Sequence, residues 1–525
     1  MNRSPSPSWP IRRIAAASIS CLAFLVPGAA FAAAGSVTLS DPVPTLLDGP
    51  QITTNANRLA AGARPVEGVA ADGVSRIVVA VTADAPGQQF TFTIFNDQLA
   101  PSASTAEDGG LALPGAAGAV QSQVGTSAVA TGQGPMAFVV YRAPLDFARA
   151  GDGAASERAV SIHWTIAGSS ASGAIPITIL RPPLVLIHGL WSNPATWDHF
   201  TPLIGDPRFA IFRANYNTLE VPLLISGSSA TPVPANGLGF AFNARYVAPQ
   251  IESFVHSFKT GRNPASLPVA AVQADIVAHS MGGDITRTMP LAPGFASATS
   301  FGQGNVHKLI TIDTPHLGTP LAKAMLDKAN GCLYFAFLME GFYILPSPVT
   351  TEDGRSIGGA MGDLIGDGAG GGLSPALQAM QAPPPQMHTA PIPTAFVAAI
   401  AGPDQLGGLD YCHAHYQDNP VPKQCANYAR IVKACGGNPL VKNMVSGADW
   451  KSNVMGGESD ALVPFPSEIN NASPAPGALT AIHSASLELL GLGGPGVLQP
   501  AAGAPERVIA LLNTWITDAA FVGLR

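Results

Sequence analysis

Apolar residues change their spacing once along this chain, at Arg181-Pro182-Pro183, and that change restricts the folds open to it. Before it, "FTFTIF" sets Phe90, Phe92 and Ile94 against Thr91 and Thr93, while "VSIHWTI" aligns Val160, Ile162, Trp164 and Ile166. Period-two alternation of this kind predicts strands with one dry face. "RIVVAVTA" (76–83), "MAFVVYRA" (136–143) and "IPITIL" (175–180), separated by Gly, Ala, Ser and Asp loops, complete an all-β sandwich over 35–180. The two prolines hold extended backbone and end the last of these strands. Beyond them "LVLIHG" (184–189), "ADIVAHS" (274–280) and "KLITID" (308–313) are short unbroken apolar runs, as in strands buried on both faces. "PATWDHFTPLI" (194–204) and "ARYVAPQIESFVHSF" (244–258) read as helices between them. Alternating strands and helices predict an α/β unit over 183–525, a doubly wound and mostly parallel sheet that binds ligands at the carboxyl ends of its strands.

The first 32 residues read as a signal peptide. Arg3, Arg12 and Arg13 precede an apolar run from Ile14 to Val26, and Ala30-Phe31-Ala32 is a small-x-small cleavage site. "IAA" after the arginine pair fits a twin-arginine signal poorly, so general secretion is expected. Outside this segment no apolar run approaches the ~20 residues of a spanning helix. Loss of three arginines takes the formal charge from −7 to −10. Without clustered cations the chain is not expected to bind nucleic acid. Cys21 leaves with the signal and lacks a lipobox; Cys332, Cys412, Cys425 and Cys435 remain, an even set in an oxidising compartment, predicting two disulfides with three possible pairings.

"DIVAHSMGGD" (275–284) places Ser280 where a buried strand gives way to a helix. A strained turn there exposes the serine hydroxyl and requires small residues two positions either side, which Ala278 and Gly282 supply. A serine needs a base held by an acid. His483, in "TAIHSASLELLG", is the only histidine after the last acid motif. Asp460, in "ESDALVPFPS", is the favoured acid, because Asp-x-x-Val-Pro joins a turn to an apolar anchor. Asp404, in what reads as a flexible turn "GPDQLGG", and Glu458 are the alternatives. Backbone N–H groups of Met281 and Leu190, the latter in "HGLW" where His188 and Gly189 shape the turn, are the expected oxyanion hole.

Together "LVLIHGLW", "IVAHSMGG", "TIDTPHLGTPLA" and "SDALVP…IHS" resemble α/β-hydrolase lipases and esterases, near the bacterial lipases and the inositol-deacylase-like group. The resemblance covers about Pro183 to Arg525 and implies hydrolysis of carboxylic esters through an acyl-enzyme, without a cofactor. Lipases with a structural calcium often carry an acid two residues after the catalytic histidine; Ala485 stands there, so no such metal site is expected. "ADGVSRIVVAV" resembles immunoglobulin-like modules of bacterial surface proteins. Two segments depart from a minimal hydrolase, 331–357 and 403–457. The first holds "CLYFAFLMEGFYIL", dense in aromatics; Phe335 and Phe342 are candidates for a lid or acyl-chain wall, against a core helix as the plainer reading. The second holds three cysteines and "HAH", where His413 and His415 are a weak zinc candidate beside Cys412 and Asp418. Trp191 and His316 are candidate substrate contacts, although a turn-stabilising role suits His316 better; His279 is expected to be structural.

The expected protein is therefore a secreted serine hydrolase acting on lipids or another apolar ester, with transient contact to a membrane or lipid surface. A polyester such as a polyhydroxyalkanoate is the nearest alternative substrate. A non-catalytic surface protein on the same fold is the alternative of another class. Every candidate catalytic group follows Pro183, so the first half is expected to be dispensable for small soluble esters.

Overall fold

The structure is a computed structural model describing residues 35–224, 230–327, 331–333, 337, 342–383 and 391–524. The expected signal peptide and Phe335 lie outside the described residues.

The principal strands of the first half are β1 (Val37–Asp41), β2 (Gly68–Ala70), β3 (Arg76–Thr82), β4 (Gln89–Phe95), β5 (Gly134–Arg142), β6 (Glu157–Ile166) and β7 (Ser172–Leu180). In one sheet β3 runs antiparallel between β1 and β5; in the other β6 runs antiparallel between β4 and β7. The alternating residues do what their spacing requires. Phe90, Phe92, Ile94, Ile162 and Trp164 meet Val79, Val81, Val139 and Tyr141 in one core. Trp164 pairs with Phe92 on one side and Gly173 on the other, where a Cβ would lie 2.7 Å from the indole.

Past Arg181 the chain continues as β8 (Leu184–Ile187), β9 (Ile211–Arg213), β10 (Val269–Ala270), β11 (Ala274–His279), β12 (Val306–Ile312), β13 (Ile392–Val397) and β14 (Val522–Leu524). Six of them form one sheet in the order β9-β8-β11-β12-β13-β14, parallel except for the last strand. All residues of β8, β11 and β12 are buried, because both faces are covered. Ile276 and Ala278 point into a core with Val247 and Ile251 of α1 (Phe240–Lys259), and Val277 points to the other side with Leu186 and Trp197. The expected helix over 194–204 is instead a 3-10 segment, Pro194–His199, followed by one α turn, Thr201–Ile204, each starting with a proline in its first turn. Among the described residues no helix is long and apolar enough to cross a membrane.

The halves interlock. β10 belongs by sequence to the second half but pairs in parallel with β2, Val269 opposite Gly68 and Ala270 opposite Val69. Asp72 of the first half accepts from the N–H groups of Val272 and Gln273 at 3.0 and 3.1 Å. Lys308 of β12 is fully buried and donates to both oxygens of Asp146 at 2.9 and 2.7 Å. A chain starting at Arg181 would lose the partners of Lys308, β10 and the backbone that leads into β11, a cost to the fold that is separate from the expectation that the first half is dispensable for chemistry on small soluble esters.

In the segment 403–457, "GPDQLGG" is no loose turn: it opens α3 (Pro403–His415), with Pro403 suited to the first helical position. α4 (Ala426–Cys435) follows. Two disulfides form, Cys332–Cys435 and Cys412–Cys425. His413 hydrogen-bonds Tyr428 and His415 faces Asp418.

Candidate active site

Ser280 joins β11 to α2 (Met281–Thr288) with φ 55° and ψ −135°, a conformation that residues with a side chain rarely adopt. Its own N–H holds the turn by donating to Ile312 O at 2.8 Å. Crowding explains the small residues around it. A Cβ on Gly282 would lie 2.5 Å from Ile187 O, and one on Gly189 would lie 2.6 Å from the Ser280 Cβ. Ala278 sits inside the sheet between Ile187 and Thr311, its methyl fully buried.

His483 comes to this turn from 203 residues away, with Nε2 at 2.8 Å from Ser280 Oγ and Nδ1 at 2.5 Å from Asp460 Oδ2. The Asp460 loop aims the carboxylate. Oδ1 accepts from Leu462 and Val463 N–H at 2.8 and 2.7 Å, which leaves Oδ2 for the imidazole. The Asp460 carbonyl also accepts the His483 backbone N–H at 2.9 Å, so loop and histidine are fixed together. With its proton on Nδ1, His483 turns a lone pair toward the serine. Asp404, in contrast, is exposed in the first turn of α3, and Glu458 pairs with Lys451 at the surface.

Leu190 follows β8 and Met281 opens α2, whose first N–H groups have no partner within the helix. His188 is buried and stacks on Tyr216 with ring centres 4.2 Å apart, and burial lowers its pKa to about 4. It is neutral at ordinary pH. His279 is likewise buried, its Nε2 3.3 Å from His483 O, and burial followed by the nearby His483 pushes its pKa well down.

Ser280 and His483 open into a cavity of about 490 Å³. Leu190, Trp191, Phe337, Phe342, Leu440, Met444 and Trp450 are among its walls. Trp191 donates from Nε1 to Tyr343 O at 2.9 Å and packs against Phe342 at 5.1 Å between ring centres. Both departing segments thus supply pocket wall, and the Cys332–Cys435 bond ties one to the other. His316 is not among the lining residues. It is fully buried, with Nδ1 taking a hydrogen bond from Arg287 at 3.0 Å and Nε2 donating to Thr311 at 3.2 Å, while Pro315 beside it reaches the cavity. Of the two roles open to His316, these contacts fit the one in the turn rather than a substrate contact.

Two residues of the site escape a reading of the sequence. Asp313, directly after β12, and Glu468, in the short helix Phe465–Glu468, are both almost fully buried. Asp313, Asp460 and His483 each offer an atom within 4.8 Å of the others. Burial, then the charge of Asp460, pushes the Asp313 carboxyl well above the usual carboxylate range; burial, then Asp313 and Asp460, does the same for Glu468. The available signal was the position of Asp313 at the carboxyl end of a buried strand beside the serine strand.

Residues 183–330 match the family model described as "Putative serine esterase (DUF676)". That span holds the Leu190 loop, Ser280 and Asp313 and ends before Asp460 and His483, and it supports assignment to the serine hydrolases. No curated protein matches the chain. Among solved structures, the mature form of the Bacillus licheniformis lipase BlEst2 is similar at 14% identity over 63% of this chain and 92% of its own, with a TM-score of 0.33. The lin2722 product of Listeria innocua is similar at 12% identity over 64% of this chain and 96% of its own, with a TM-score of 0.29.

Proposed function

We propose that this chain is an exported serine hydrolase that cleaves carboxylic esters carrying an apolar acyl group. The observation that carries the reading is the unbroken hydrogen-bonded line from Asp460 through His483 to Ser280 at the mouth of an apolar cavity. Ser280 Oγ attacks the ester carbonyl while His483 Nε2 takes its proton, and Asp460 stabilises the imidazolium. The N–H groups of Leu190 and Met281 receive the oxyanion. Collapse expels the alcohol with the proton from His483, leaving an acyl-serine that water clears by the same steps. Export accords with the N-terminal segment and the two disulfides. We take the first half as an immunoglobulin-like sandwich placed before the catalytic unit.

A cavity of this volume is in the range of sites that enclose a small ligand. Each methylene buried there adds ~0.8 kcal/mol, roughly fourfold in kcat/KM. The test is a series of p-nitrophenyl esters of rising chain length, with fluorophosphonate labelling of the mature protein and of Ser280→Ala. Rates should climb with chain length until the cavity is full, and labelling should vanish in the variant. A wild-type protein that neither labels nor turns over any ester would return the assignment to a non-catalytic surface protein, and labelling that survives Ser280→Ala would move the nucleophile elsewhere.

A further inference from the structure

We propose that Glu468, Asp313 and Asp460 form a proton-sharing carboxyl chain behind His483, in which Asp313 is a positioning residue whose neutral carboxyl donates to Asp460 and leaves Asp460 the one ionised member. The inference rests on the Ser280–His483–Asp460 reading above.

Three side chains from three separate elements meet here: Asp313, just past the end of β12, and Asp460, in the acid loop, bring atoms within 4.8 Å of each other, and Glu468 of the helix Phe465–Glu468 interacts with both. Asp313, Asp460 and Glu468 are 1%, 0% and 1% exposed, so water does not satisfy them. The charged groups facing Asp313 are Asp460 and Glu468, with His483 beyond Asp460, and among the described residues no Arg or Lys is ion-paired with any of the three carboxyls. Their oxygens are unequally supplied with donors. Both Asp460 oxygens are occupied, by two backbone N–H groups and by the imidazole. Glu468 Oε2 accepts from Ala399 N–H at 2.8 Å, an N–H that also acts on the Asp313 carboxyl from farther away, but Glu468 Oε1 and both oxygens of Asp313 lack a donor within hydrogen-bond distance. Buried oxygens without donors are costly. Carboxyl groups facing one another can satisfy themselves only by carrying protons, because one of each pair must then donate.

The order of donation follows from what each group already accepts. Asp460 already accepts from three N–H groups. Asp313 therefore carries a proton and gives it as a hydrogen bond to Asp460, while Glu468 carries a second proton and gives it to Asp313. Two protons and one negative charge satisfy the cluster. Asp460 is held as an anion facing the imidazole that must become charged during catalysis, and its direction is fixed from behind as well as from its own loop. No proton leaves the chain during the reaction; what the neutral pair supplies is position and a stable charge on Asp460.

Infrared difference spectroscopy and kinetics test this together. At neutral pH the spectrum of the mature protein minus that of Asp313→Asn, and likewise minus that of Glu468→Gln, should contain a protonated-carboxyl C=O band. Asp313→Asn should keep kcat/KM within about threefold, because its amide N–H still donates to Asp460 and its carbonyl still accepts from Glu468. Asp313→Ala should lose at least about tenfold and move the acid limb of the pH–rate profile to higher pH, since an Asp460 without that donor holds the proton on His483 more firmly. The asparagine variant restores both, which a merely structural role for the site would not require. If Asp313→Ala fails to fold, the two amide variants and the spectra still decide. Absence of both carboxyl bands overturns the proposal, as does an Asp313→Asn variant as inactive as Asp460→Asn, which would make Asp313 an ionised acid. Activity that is lost to EDTA and restored by a divalent cation also overturns it, placing an ion where the protons are assigned. Failure of the triad reading would show separately, as labelling that persists in Ser280→Ala.

Discussion

Replacing Asp146 by Ala tests whether the two halves are one cooperative structure. Lys308 is completely buried in β12, with Nζ held by both Asp146 oxygens, by Thr514 O at 3.3 Å, and 5.5 Å from the centre of the Phe521 ring. The substitution removes both charge-assisted bonds and also the acceptor for Ile516 N–H at 3.1 Å. What remains for the ammonium is one long carbonyl contact and an aromatic ring, far less than water offers. Breaking a buried pair from one side costs ~3–5 kcal/mol, whereas replacing both partners by apolar groups of similar size is often neutral. Asp146→Ala should therefore lose ~3–5 kcal/mol in urea unfolding followed by tryptophan fluorescence, and Asp146→Leu with Lys308→Met should recover most of it. Activity on short esters should persist below the new midpoint, because Asp146 meets β12 at Lys308, near its start, whereas Ser280 meets it at Ile312, its end. A loss below ~1 kcal/mol for the single variant, or a double variant as unstable as the single, would refute the claim that this pair holds the halves together.

Asp460→Asn should lower turnover of a short ester by ~10⁴, because an amide facing His483 Nδ1 favours the tautomer with its proton on Nε2, toward the serine. Asp404→Asn and Glu458→Gln should keep most of their rate, and the opposite ranking would move the triad acid. Phe342→Ala should reduce kcat/KM for long acyl chains more than for short ones, as should reduction of the Cys332–Cys435 bond; equal losses at all chain lengths would make the aromatic segment plain core. Glu468 gives a pH test with a defined sign. Its folded pKa is raised by burial, and in the unfolded chain it ionises near pH ~4.3, so above that pH folding must retain a proton and stability falls as pH rises. Glu468→Gln removes this term, so its stability relative to the parent should increase from pH 5 to 8, by at most ~1.4 kcal/mol per unit. A difference that is the same at both pH values would mean that Glu468 is ionised in the folded protein.

Strands and elbow were legible because they depend on local spacing. Alternation placed β3, β4, β5, β6 and β7, and unbroken apolar runs placed β8, β11 and β12. Ser280, His483 and Asp460 were legible because each stands in a short context with a geometric reason, and the structure brings those three side chains together. Asp313 was not, because nothing in "TIDTP" indicates that it faces two other carboxyls from segments some 150 residues later. His316 shows the same limit: strand position brings a residue near the cavity and leaves substrate contact open, but its neighbours Arg287 and Thr311 decide which way it points. The cysteine pairing and the part of 403–457 in the pocket wall likewise depend on contacts between distant segments, which spacing does not encode.

The pairing of β10 with β2 sets an order of assembly. The serine strand begins four residues after Ala270, and its approach is held by the first half through Val269, Ala270 and Asp72. Synthesis delivers residues 35–180 before β10, and if that part folds as a unit, its pairing edge exists first. The edge of β2 is then a waiting template, and the later segment docks on it some 200 residues downstream, a long loop to close and a slow step by the usual relation of rate to contact separation. The first half thus acts as a mould for the strand that carries the serine, and refolding of the second half should accelerate when the first half is already native.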